Sequence, residues 1–372
     1  MEVREISRED HLTYIQSQPS VSFLQTPAWG DVKSDWRAKS LGWFDGAELI
    51  GAGLLLTRKL PKLNKFLGYL PEGPDISWSN PTISDNALTA LVDFAKSQNI
   101  FQLKIGPHVW VRRWNCETIK SAIATGEAKS ISTLAADEVN DNASTLISQL
   151  KATGWSQPDH GSEFGDFQPR FVFQLDLHGK SDDELLSGFN QLWRRNIKKA
   201  QNSQVRVRIG TFEDLPMFHD CYVETAKRDG FNPRPLSYFQ HMYQSLKAEA
   251  PERIELFIAE HDDHVGAIAA TTMTRVGDHA WYSYGASTTA ARDLRPSNAI
   301  QWYMIQHAKN SGAATYDMRG IADTLDPESH LYGLIQFKIG TGGYVQEYVG
   351  EWDYFVSPIL ARLFNFYLNR RR

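Results

Sequence analysis

The residue whose surroundings best suit chemistry is a lysine enclosed by apolar neighbours near the carboxyl end. Residues 333–344 read GLIQFKIGTGGY, with Lys338 as the only charged side chain and three glycines behind it. One interpretation is a turn that ends a helix. The other is a site at which backbone N–H groups and an ammonium converge on a ligand. The residue types alone leave both interpretations open.

A second candidate is a run of like charge in residues 188–210, GFNQLWRRNIKKAQNSQVRVRIG. Six Lys or Arg residues and no acid occur there, although the whole chain has a formal net charge of −5. A solvated helix face would normally mix both signs of charge. The cluster next to Trp193 therefore indicates contact with a nucleic-acid backbone through a local patch. Its members are Arg194, Arg195, Lys198 and Lys199.

Arg234 and Tyr238 form a candidate anion site. Pro235 predicts the start of a helix, and the two residues lie four positions apart around it. A guanidinium and a phenol presented together near a helix N-terminus suit a phosphate group. The competing interpretation is a surface arginine beside a core tyrosine.

Lys33 and Tyr284 also occupy positions from which a ligand could be contacted. Lys33 follows Trp29 in PAWGDVK, a predicted helix, and is either a solvated helix lysine or a phosphate contact. Tyr284 lies in the strand pattern AWYSYGAS, where alternation places it on the same face as Tyr282. These tyrosines either line a cleft or pack in a core.

Several function classes find no support in the sequence. There is no Ser-His-Asp order, HExxH, P-loop or paired-carboxylate motif, so hydrolases, metalloenzymes and kinases are not indicated. The only cysteines, Cys116 and Cys221, have neither a disulfide-framework spacing nor a zinc-site spacing. No metal site is predicted, and this cysteine usage fits a reducing cytosol.

The sequence predicts a cytoplasmic protein. The segment MEVREISREDHLTYI lacks the basic and apolar regions of a secretion signal, and no run approaches the roughly 18 apolar residues of a membrane span. The tail SPILARLFNFYLNRRR has an apolar helical period and ends in three arginines. It is either a helix docked on a core or a peripheral contact with the anionic inner face of the membrane.

An internal repeat organises the elements that must position these residues. DGAELIGAGLLLTRK, from residue 45, matches DDHVGAIAATTMTRV, from residue 262, and both predict a hairpin that enters a buried strand. NALTALVDFAKSQNIFQLKIG, from residue 86, matches NAIQWYMIQHAKNSGAATYDMRG, from residue 298, and both predict a helix followed by a strand. Two matches in the same order indicate a duplicated α/β unit.

The predicted element order, helix, hairpin strands, strand, helix and strand, is that of the acetyltransferase-like fold. We therefore expect an α/β protein with mixed sheets, built from two tandem acetyltransferase-like domains. The loops before the two repeated helices lack the glycines with which this fold binds the pyrophosphate of coenzyme A, so coenzyme A is not the expected donor. The predicted domains are residues 1–167 with 350–372, and residues 168–349, divided by the polar loop at 156–168.

The motifs FLQTPAWGDVK, WRRNIKKA, TAKRDGF, YDMRGI and FKIGTGGYVQEYVGEWD occur in this order across most of the chain. In this the sequence resembles the Fem family of peptidoglycan bridge-forming aminoacyltransferases. The resemblance implies an aminoacyl-tRNA donor, which acts as co-substrate without a further cofactor. It implies as acceptor an amine of a peptidoglycan precursor, either UDP-MurNAc-pentapeptide or lipid II.

The resemblance also implies roles for individual residues. Lys338, beside Phe337, would lie at the reaction centre and face the ester carbonyl of the charged tRNA. The diphosphate end of the acceptor would be held by Lys33, Arg234, Tyr238 and Tyr284. The tRNA would contact Arg194, Arg195, Lys198 and Lys199, because no insertion resembling the family's long coiled-coil arm is visible.

Two positions depart from the family pattern. Gly106 stands where the family commonly has an Asp, which excludes a carboxylate base at that position. Thr341 stands where an aromatic residue is usual. Two other functions remain open: an acyl-CoA-dependent N-acyltransferase on the same fold, and a non-catalytic relative that binds the precursor. We expect a monomer.

Overall fold

The structure of the protein is a computed structural model, which describes residues 1–158 and 167–369. The chain divides into two compact units. The first comprises Met1–Arg113, Glu138–Phe171 and Gln346–Arg372, and the second comprises Trp114–Asp137 and Val172–Val345. The predicted interdomain loop falls largely on residues 159–166, which lie outside the described residues, as do the final three arginines.

The strands of the described residues are β1 (Glu2–Glu5), β2 (Arg37–Asp45), β3 (Glu48–Lys59), β4 (Phe66–Leu70), β5 (Ile100–Ile105), β6 (Trp110–Asn115), β7 (Glu138–Val139), β8 (Phe171–Asp176), β9 (Arg206–Gly210), β10 (Ile254–Glu260), β11 (Ala269–Val276), β12 (His279–Ser287), β13 (Thr315–Gly320), β14 (Tyr344–Tyr348) and β15 (Trp352–Tyr354). The α-helices are α1 (Arg8–Ser17), α2 (Pro27–Val32), α3 (Pro81–Ser97), α4 (Cys116–Thr125), α5 (Asp141–Ala152), α6 (Asp182–Gly188), α7 (Gln191–Asn202), α8 (Leu215–Asp229), α9 (Leu236–Glu249), α10 (Pro296–Asn310), α11 (Tyr332–Ile339) and α12 (Pro358–Asn369).

The first unit is built on a six-stranded sheet in the order β1-β2-β3-β4-β5-β15. The β4–β5 pair is parallel, and the other neighbours are antiparallel. A buried cluster that includes Trp43, Leu91, Leu103 and Trp352 fills the space between the sheet and helices α3 and α5. The apolar period of the α3 sequence thus buries one helix face against the sheet.

The second unit repeats this topology in strands β8-β13-β12-β11-β10-β9. Its β12–β13 pair is the parallel one, and α10 connects those two strands just as α3 connects β4 and β5. A parallel pair needs a crossover connection, which a helix provides. The duplicated unit predicted from the sequence is therefore visible as a duplicated topology.

Both repeated helices begin earlier than their Asn-Ala motifs. Helix α3 begins at Pro81, where the side chain of Asn80 accepts hydrogen bonds from the backbone N–H groups of Thr82 and Ile83. Helix α10 begins at Pro296. Proline is favoured at the first helical position because its missing N–H would have no partner there.

The segment Trp114–Asp137 differs from the sequence-based domain boundaries, which place it in the first domain. In the structure it belongs to the second unit. The backbone N–H of Leu325 donates to the carbonyl of Lys129, and the backbone N–H of Ser132 donates to the Asp323 carboxylate over 2.8 Å. These long-range hydrogen bonds could not be read from local sequence patterns.

The helices of the described residues are short. The longest helix of the described residues is α3, with 17 residues, so that part of the chain holds no coiled-coil arm. Within the same residues, no helix combines the length and the apolar character needed to cross a membrane.

Candidate functional site

The site is organised around a bulge in strand β13. Arg319 has a φ of 62°, a left-handed conformation that side chains other than glycine rarely adopt. The pairing of β13 with β8 shifts register between Asp317 and Gly320 as a result. Strained backbone of this kind persists only where surrounding contacts hold it, and it is concentrated at functional sites.

The bulge directs three successive carbonyl oxygens at one ammonium. Lys338 Nζ donates to the carbonyls of Met318 and Gly320, each over 2.7 Å, and to that of Arg319 over 3.2 Å. The three donors of an ammonium are thereby all used. Successive carbonyls of a regular strand point to opposite sides, so this arrangement requires the bulge.

Lys338 is deeply buried, with 3% of its surface exposed. Burial, the largest effect, lowers its pKa to about 7, and the charge of Arg319 adds to this while the Asp317 carboxylate opposes it. Asp317 is itself buried and accepts a hydrogen bond from Gln174 Nε2 over 2.9 Å. The lysine is therefore poised between its charged and neutral forms near neutral pH.

The glycines after Lys338 serve close approach within the second unit. A Cβ at Gly342, where φ is 77°, would overlap the carbonyl oxygen of Gly188, and a Cβ at Gly343 would overlap that of Gln174. Thr341 ends helix α11 by donating from Oγ1 to the Lys338 carbonyl over 2.7 Å. Close backbone packing behind the end of the helix therefore explains Gly342 and Gly343.

Phe337, the neighbour of Lys338, lines a cavity of about 650 Å³ in the second unit. Lys338 is not part of the cavity wall. The other lining residues come from six separate stretches of chain: Thr225, Arg228, Asp229, Thr271, Tyr282, Gly285, Ala286, Ser287, Arg292, Ser297, Ile300, Gln301, His330, Leu331, Gly333 and Leu334. A cavity of this volume is typical of sites for nucleotide-sized or drug-sized molecules.

Two arginines give the cavity wall its cationic character. Arg228 donates to the Asp229 carboxylate over 2.8 Å and to the Ser287 carbonyl over 2.7 Å, which fixes its guanidinium. Arg292 is an exposed lining residue and forms no ion pair among the described residues. Neither arginine was assigned a role from the sequence, although Arg228 lies in the motif TAKRDGF that carries the family resemblance.

The basic run lies mainly on helix α7. Trp193, Ile197 and Ala200 are buried, whereas the four cations predicted to contact tRNA, namely Arg194, Arg195, Lys198 and Lys199, are exposed. The Arg194 guanidinium also donates to the carbonyls of Ser187 and Phe189. The structure thus places the predicted cluster on one face of one helix.

The other two cations of the run belong to strand β9 and are paired. Arg206 binds the Asp262 carboxylate, and Arg208 binds the carboxylates of Asp214 and Glu260. Only the helix therefore presents a concentration of positive charge from this run.

Trp193 connects the basic helix to the cavity wall. Its indole Nε1 donates to the Phe337 carbonyl over 2.7 Å, and the two rings lie 4.6 Å apart between centroids. Helix α7 also packs against α10, whose Ser297 and Gln301 line the cavity. The basic face and the cavity are thus on adjoining elements of one unit.

Arg234, Tyr238 and Tyr284 come together elsewhere in the second unit. The Arg234 guanidinium lies 4.5 Å from the centre of the Tyr238 ring, and the Tyr238 and Tyr284 hydroxyls lie 3.3 Å apart. Burial raises the pKa of Tyr238, so its hydroxyl stays protonated. Helix α9 begins at Leu236, so Arg234 precedes the helix rather than sharing its first turn.

Lys33 lies in the first unit, directly after the end of α2. Its ammonium stands 4.7 Å from the centre of the Trp29 ring. Trp29 itself is buried in the first unit. The role of Lys33 as an acceptor contact stays a prediction.

A shift in register separates the two tyrosines of β12. Tyr282 lines the cavity, while Tyr284 packs beside Tyr238. The pairing with β11 slips between Thr272 and Met273, opposite these residues. Simple alternation along the strand therefore did not describe their surroundings.

No group of three or more His, Cys, Asp or Glu side chains is placed to hold a metal ion in the described residues. The chain matches the FemAB family over residues 6–259 and 245–368. It belongs to the FemAB family. The resemblance inferred from the motifs is thereby confirmed.

Relatives of this FemAB protein cover nearly its whole length. The chain is 25% identical over 430 residues to the lipid II:glycine glycyltransferase of Staphylococcus aureus, covering 98% of this chain and 95% of that one. It superposes on the crystal structure of FemX with a TM-score of 0.80 at 24% identity, covering 98% and 99% of the two chains. These values establish a FemX-like fold.

A more distant neighbour identifies the architecture. A tandem GNAT protein from the clavulanic acid biosynthesis pathway superposes with a TM-score of 0.52 at 11% identity, covering 96% of this chain and 99% of that one. The predicted fold, two tandem acetyltransferase-like domains, is confirmed.

Proposed function

We propose that this FemAB protein transfers an amino acid from aminoacyl-tRNA to an amine of a peptidoglycan precursor and thereby builds an interpeptide bridge. The acceptor is the stem peptide of lipid II or of UDP-MurNAc-pentapeptide. The name of the staphylococcal relative, a lipid II:glycine glycyltransferase, supports this class of acceptor.

The observation that carries the donor assignment is the link between helix α7 and the cavity. An exposed face of four cations suits the phosphates of a nucleic acid. Trp193, on the buried face of the same helix, contacts Phe337 in the cavity wall. A polynucleotide lying along α7 would therefore bring its end to a cavity large enough for a terminal nucleotide.

The cavity suits the end of a charged tRNA in its chemistry as well. The guanidinium groups of Arg228 and Arg292 would bind phosphate oxygens, and hydroxyl and amide groups such as those of Ser297 and Gln301 would bind ribose and base. The aminoacyl ester would then lie beside Phe337.

The reaction forms one C–N bond and breaks one C–O bond. The neutral acceptor amine attacks the ester carbonyl, and a tetrahedral oxyanion develops. The amine then loses a proton, and the leaving ribose oxygen gains one. The vicinal ribose hydroxyl can relay that proton, so a protein base is not required, consistent with Gly106 at the position that is commonly Asp in the family.

Lys338 would stabilise the developing oxyanion through its positive charge. Its three donors already bind carbonyls of the β13 bulge, so it acts on the oxyanion through space or by exchanging one of these hydrogen bonds. In its protonated form, an ammonium in a water-poor site contributes a few kcal/mol to transition-state stabilisation. The carbonyls would hold the ammonium in place before the substrate arrives.

Arg234, Tyr238 and Tyr284 would bind the diphosphate of the acceptor. A guanidinium binds phosphate through two parallel hydrogen bonds, and the hydroxyls of the two tyrosines supply further donors. The contact between Arg234 and the Tyr238 ring would orient the guanidinium before binding.

The test is transfer of radiolabelled amino acids from a charged bulk tRNA pool to UDP-MurNAc-pentapeptide and, in parallel, to lipid II. Label in either acceptor supports the proposal and identifies the amino acid after hydrolysis. No label in either acceptor, together with a rise in melting temperature on addition of coenzyme A, would replace it with the acyl-CoA alternative. Uncharged tRNA and Lys338→Met serve as negative controls.

A further inference from the structure

The carboxyl-terminal helix α12 carries apolar side chains both toward the first unit and toward solvent among its described residues. On one face, Leu360, Ala361 and Phe364 pack against a cluster that contains Phe101 of strand β5. The Phe101 and Phe364 rings meet edge to face with centroids 5.4 Å apart. This face accounts for the docking of the helix on the first unit.

Two other described side chains of α12 are apolar and exposed. Ile359 and Leu363, one helical turn apart, are 76% and 61% exposed. Side chains four residues apart lie on the same side of a helix, so the two form one patch. Single exposed apolar residues are ordinary. Exposed apolar residues that cluster indicate a site of interaction with a protein or a membrane.

The turn between β3 and β4 adjoins this helix. Leu60, at the start of the turn, is buried in the same cluster as Ala361. Leu63, in the turn, is 46% exposed. Lys59 and Lys62 beside it are exposed and form no ion pair among the described residues.

We propose that these residues form a membrane-docking surface, which binds the protein peripherally to a bilayer rich in anionic phospholipid. The surface consists of Ile359 and Leu363 from α12 and of Lys59, Lys62 and Leu63 from the turn. The apolar side chains enter the boundary between headgroups and acyl chains, and the ammonium groups bind anionic headgroups.

The charge around this surface selects the bilayer over a second copy of the chain. The turn holds three lysines and no acid in residues 59–65. A twofold interface would place the same patch of each copy against the other and bring these cations together. An anionic surface instead neutralises all of them at once.

Membrane docking is independent of the aminoacyl transfer proposed above, because it requires neither substrate. It would nevertheless concentrate the enzyme on the surface that carries a lipid-linked acceptor. A failure of the docking experiment would leave the transfer reaction untouched, and a failure of transfer would leave docking untouched.

The experiment is co-sedimentation of the full-length protein with two kinds of vesicle, phosphatidylcholine alone and phosphatidylcholine mixed with phosphatidylglycerol. We expect binding to the mixed vesicles only. Leu363→Glu should weaken binding to the mixed vesicles by about tenfold or more, because it replaces an apolar group that enters the bilayer by an anion at an anionic surface. Lys62→Glu should weaken it by about fivefold or more and make the remainder less sensitive to salt.

Two matched variants control for net charge. Val265→Glu alters a fully exposed valine of the second unit, and Lys151→Glu alters an exposed lysine of α5. Both should bind the mixed vesicles as the wild type does, and thermal melts should show all four variants folded. An equal loss of vesicle binding in the control variants would overturn the proposal. Unchanged vesicle binding by Leu363→Glu would overturn it as well. A wild-type dimer that Leu363→Glu converts to a monomer, measured by light scattering, would reassign the surface to self-association.

Discussion

The ammonium of Lys338 lies 2.7 Å from the carbonyl oxygen of Gly320, at the end of a strand that bulges one residue earlier. A buried cation whose hydrogen bonds all go to backbone carbonyls is easily neutralised, because carbonyls compensate less of its lost hydration than a hydrogen-bonded carboxylate would. The protonation of Lys338 should therefore be measurable in both stability and activity.

Lys338 should make the stability of the protein depend on pH. Its pKa is about 7 in the folded protein, against 10.5 for a lysine side chain in water, the value that applies to the unfolded chain. Between these values the unfolded chain binds more protons, so the free energy of unfolding rises as pH increases from about 7 to about 10.5. The rise is on the order of 1.4 kcal/mol per unit of pKa difference.

Urea unfolding of the wild type and of Lys338→Met across this range provides the measurement. The difference between their unfolding free energies should move in favour of the wild type as the pH increases. If the unfolding free energies of the two proteins change in parallel with pH, Lys338 keeps an ordinary pKa among the three carbonyls that it binds.

Loss of the Lys338 charge should slow aminoacyl transfer without weakening the binding of the acceptor. Lys338→Met should lower kcat by roughly 10² or more, the effect typical of removing a group that stabilises an oxyanion. The dissociation constant of the acceptor, measured by calorimetry, should stay within about twofold.

Gln336→Ala is the control on the same helix, since Gln336 is exposed. It should keep the kcat of the wild type. A large rise in the acceptor dissociation constant for Lys338→Met would instead assign the lysine to holding the β13 bulge and its surroundings in shape.

The exposed cations of helix α7 should govern the affinity for tRNA. Replacing Lys198 and Lys199 together by Gln should weaken tRNA binding at moderate salt, and the slope of log affinity against log salt should decrease by about one for each lost phosphate contact. Filter binding at several salt concentrations measures both quantities.

Arg206→Gln is the matched control for these variants. Arg206 is near the same run in sequence, but its guanidinium already binds Asp262. Its replacement should leave the salt slope unchanged. An equal effect of Arg206→Gln would indicate diffuse attraction by the whole unit instead of binding along one helix face.

Arg234 should determine affinity for the diphosphate of the acceptor. Arg234→Gln should raise the dissociation constant of UDP-MurNAc-pentapeptide by about tenfold or more, since charge-assisted bonds to phosphate are lost. Tyr238→Phe should have a smaller effect, because it removes one neutral donor. Calorimetry with the intact precursor and with its form lacking phosphates separates the diphosphate from the peptide.

Lys227→Gln serves as the control for Arg234, because Lys227 is exposed in the last turn of α8. It should bind the precursor as the wild type does. If Arg234→Gln binds the intact and the phosphate-free forms with equal losses, the Arg234 cluster does not contact the diphosphate.

Local pattern was sufficient to predict the repeated framework and the basic helix. The apolar period that follows Pro81 and Pro296 requires an amphipathic helix against a sheet in both copies, so duplication followed from two matches in register. The one-sided charge of residues 191–202 likewise follows from helix geometry, since Trp193 and Ile197 lie on the opposite side from the cations.

The arrangement of residues around Lys338 could not be predicted from local sequence patterns. Regular alternation along β13 would place Asp317 and Arg319 on one face, but the left-handed conformation of Arg319 breaks this alternation. In the structure the Asp317 carboxylate accepts from Gln174 and lies 3.6 Å from His279 Nε2. Nothing in the sequence marks a non-glycine residue for positive φ. The three carbonyls that bind the Lys338 ammonium could therefore not be predicted.

The glycine bend behind Lys338 should be sensitive to a single methyl group. Gly342→Ala combines a left-handed φ of 77° with overlap between the new Cβ and the Gly188 carbonyl. We expect a loss of about 3 kcal/mol in the free energy of unfolding, since a left-handed alanine costs about 1 kcal/mol and a backbone overlap adds more. Gly126→Ala isolates the first effect, because Gly126 has a φ of 68° with nothing within 4 Å of a Cβ. Urea unfolding should place Gly126→Ala near a loss of about 1 kcal/mol, and equal losses in the two variants would show that the bend has room for a side chain and that its glycines serve a purpose other than packing.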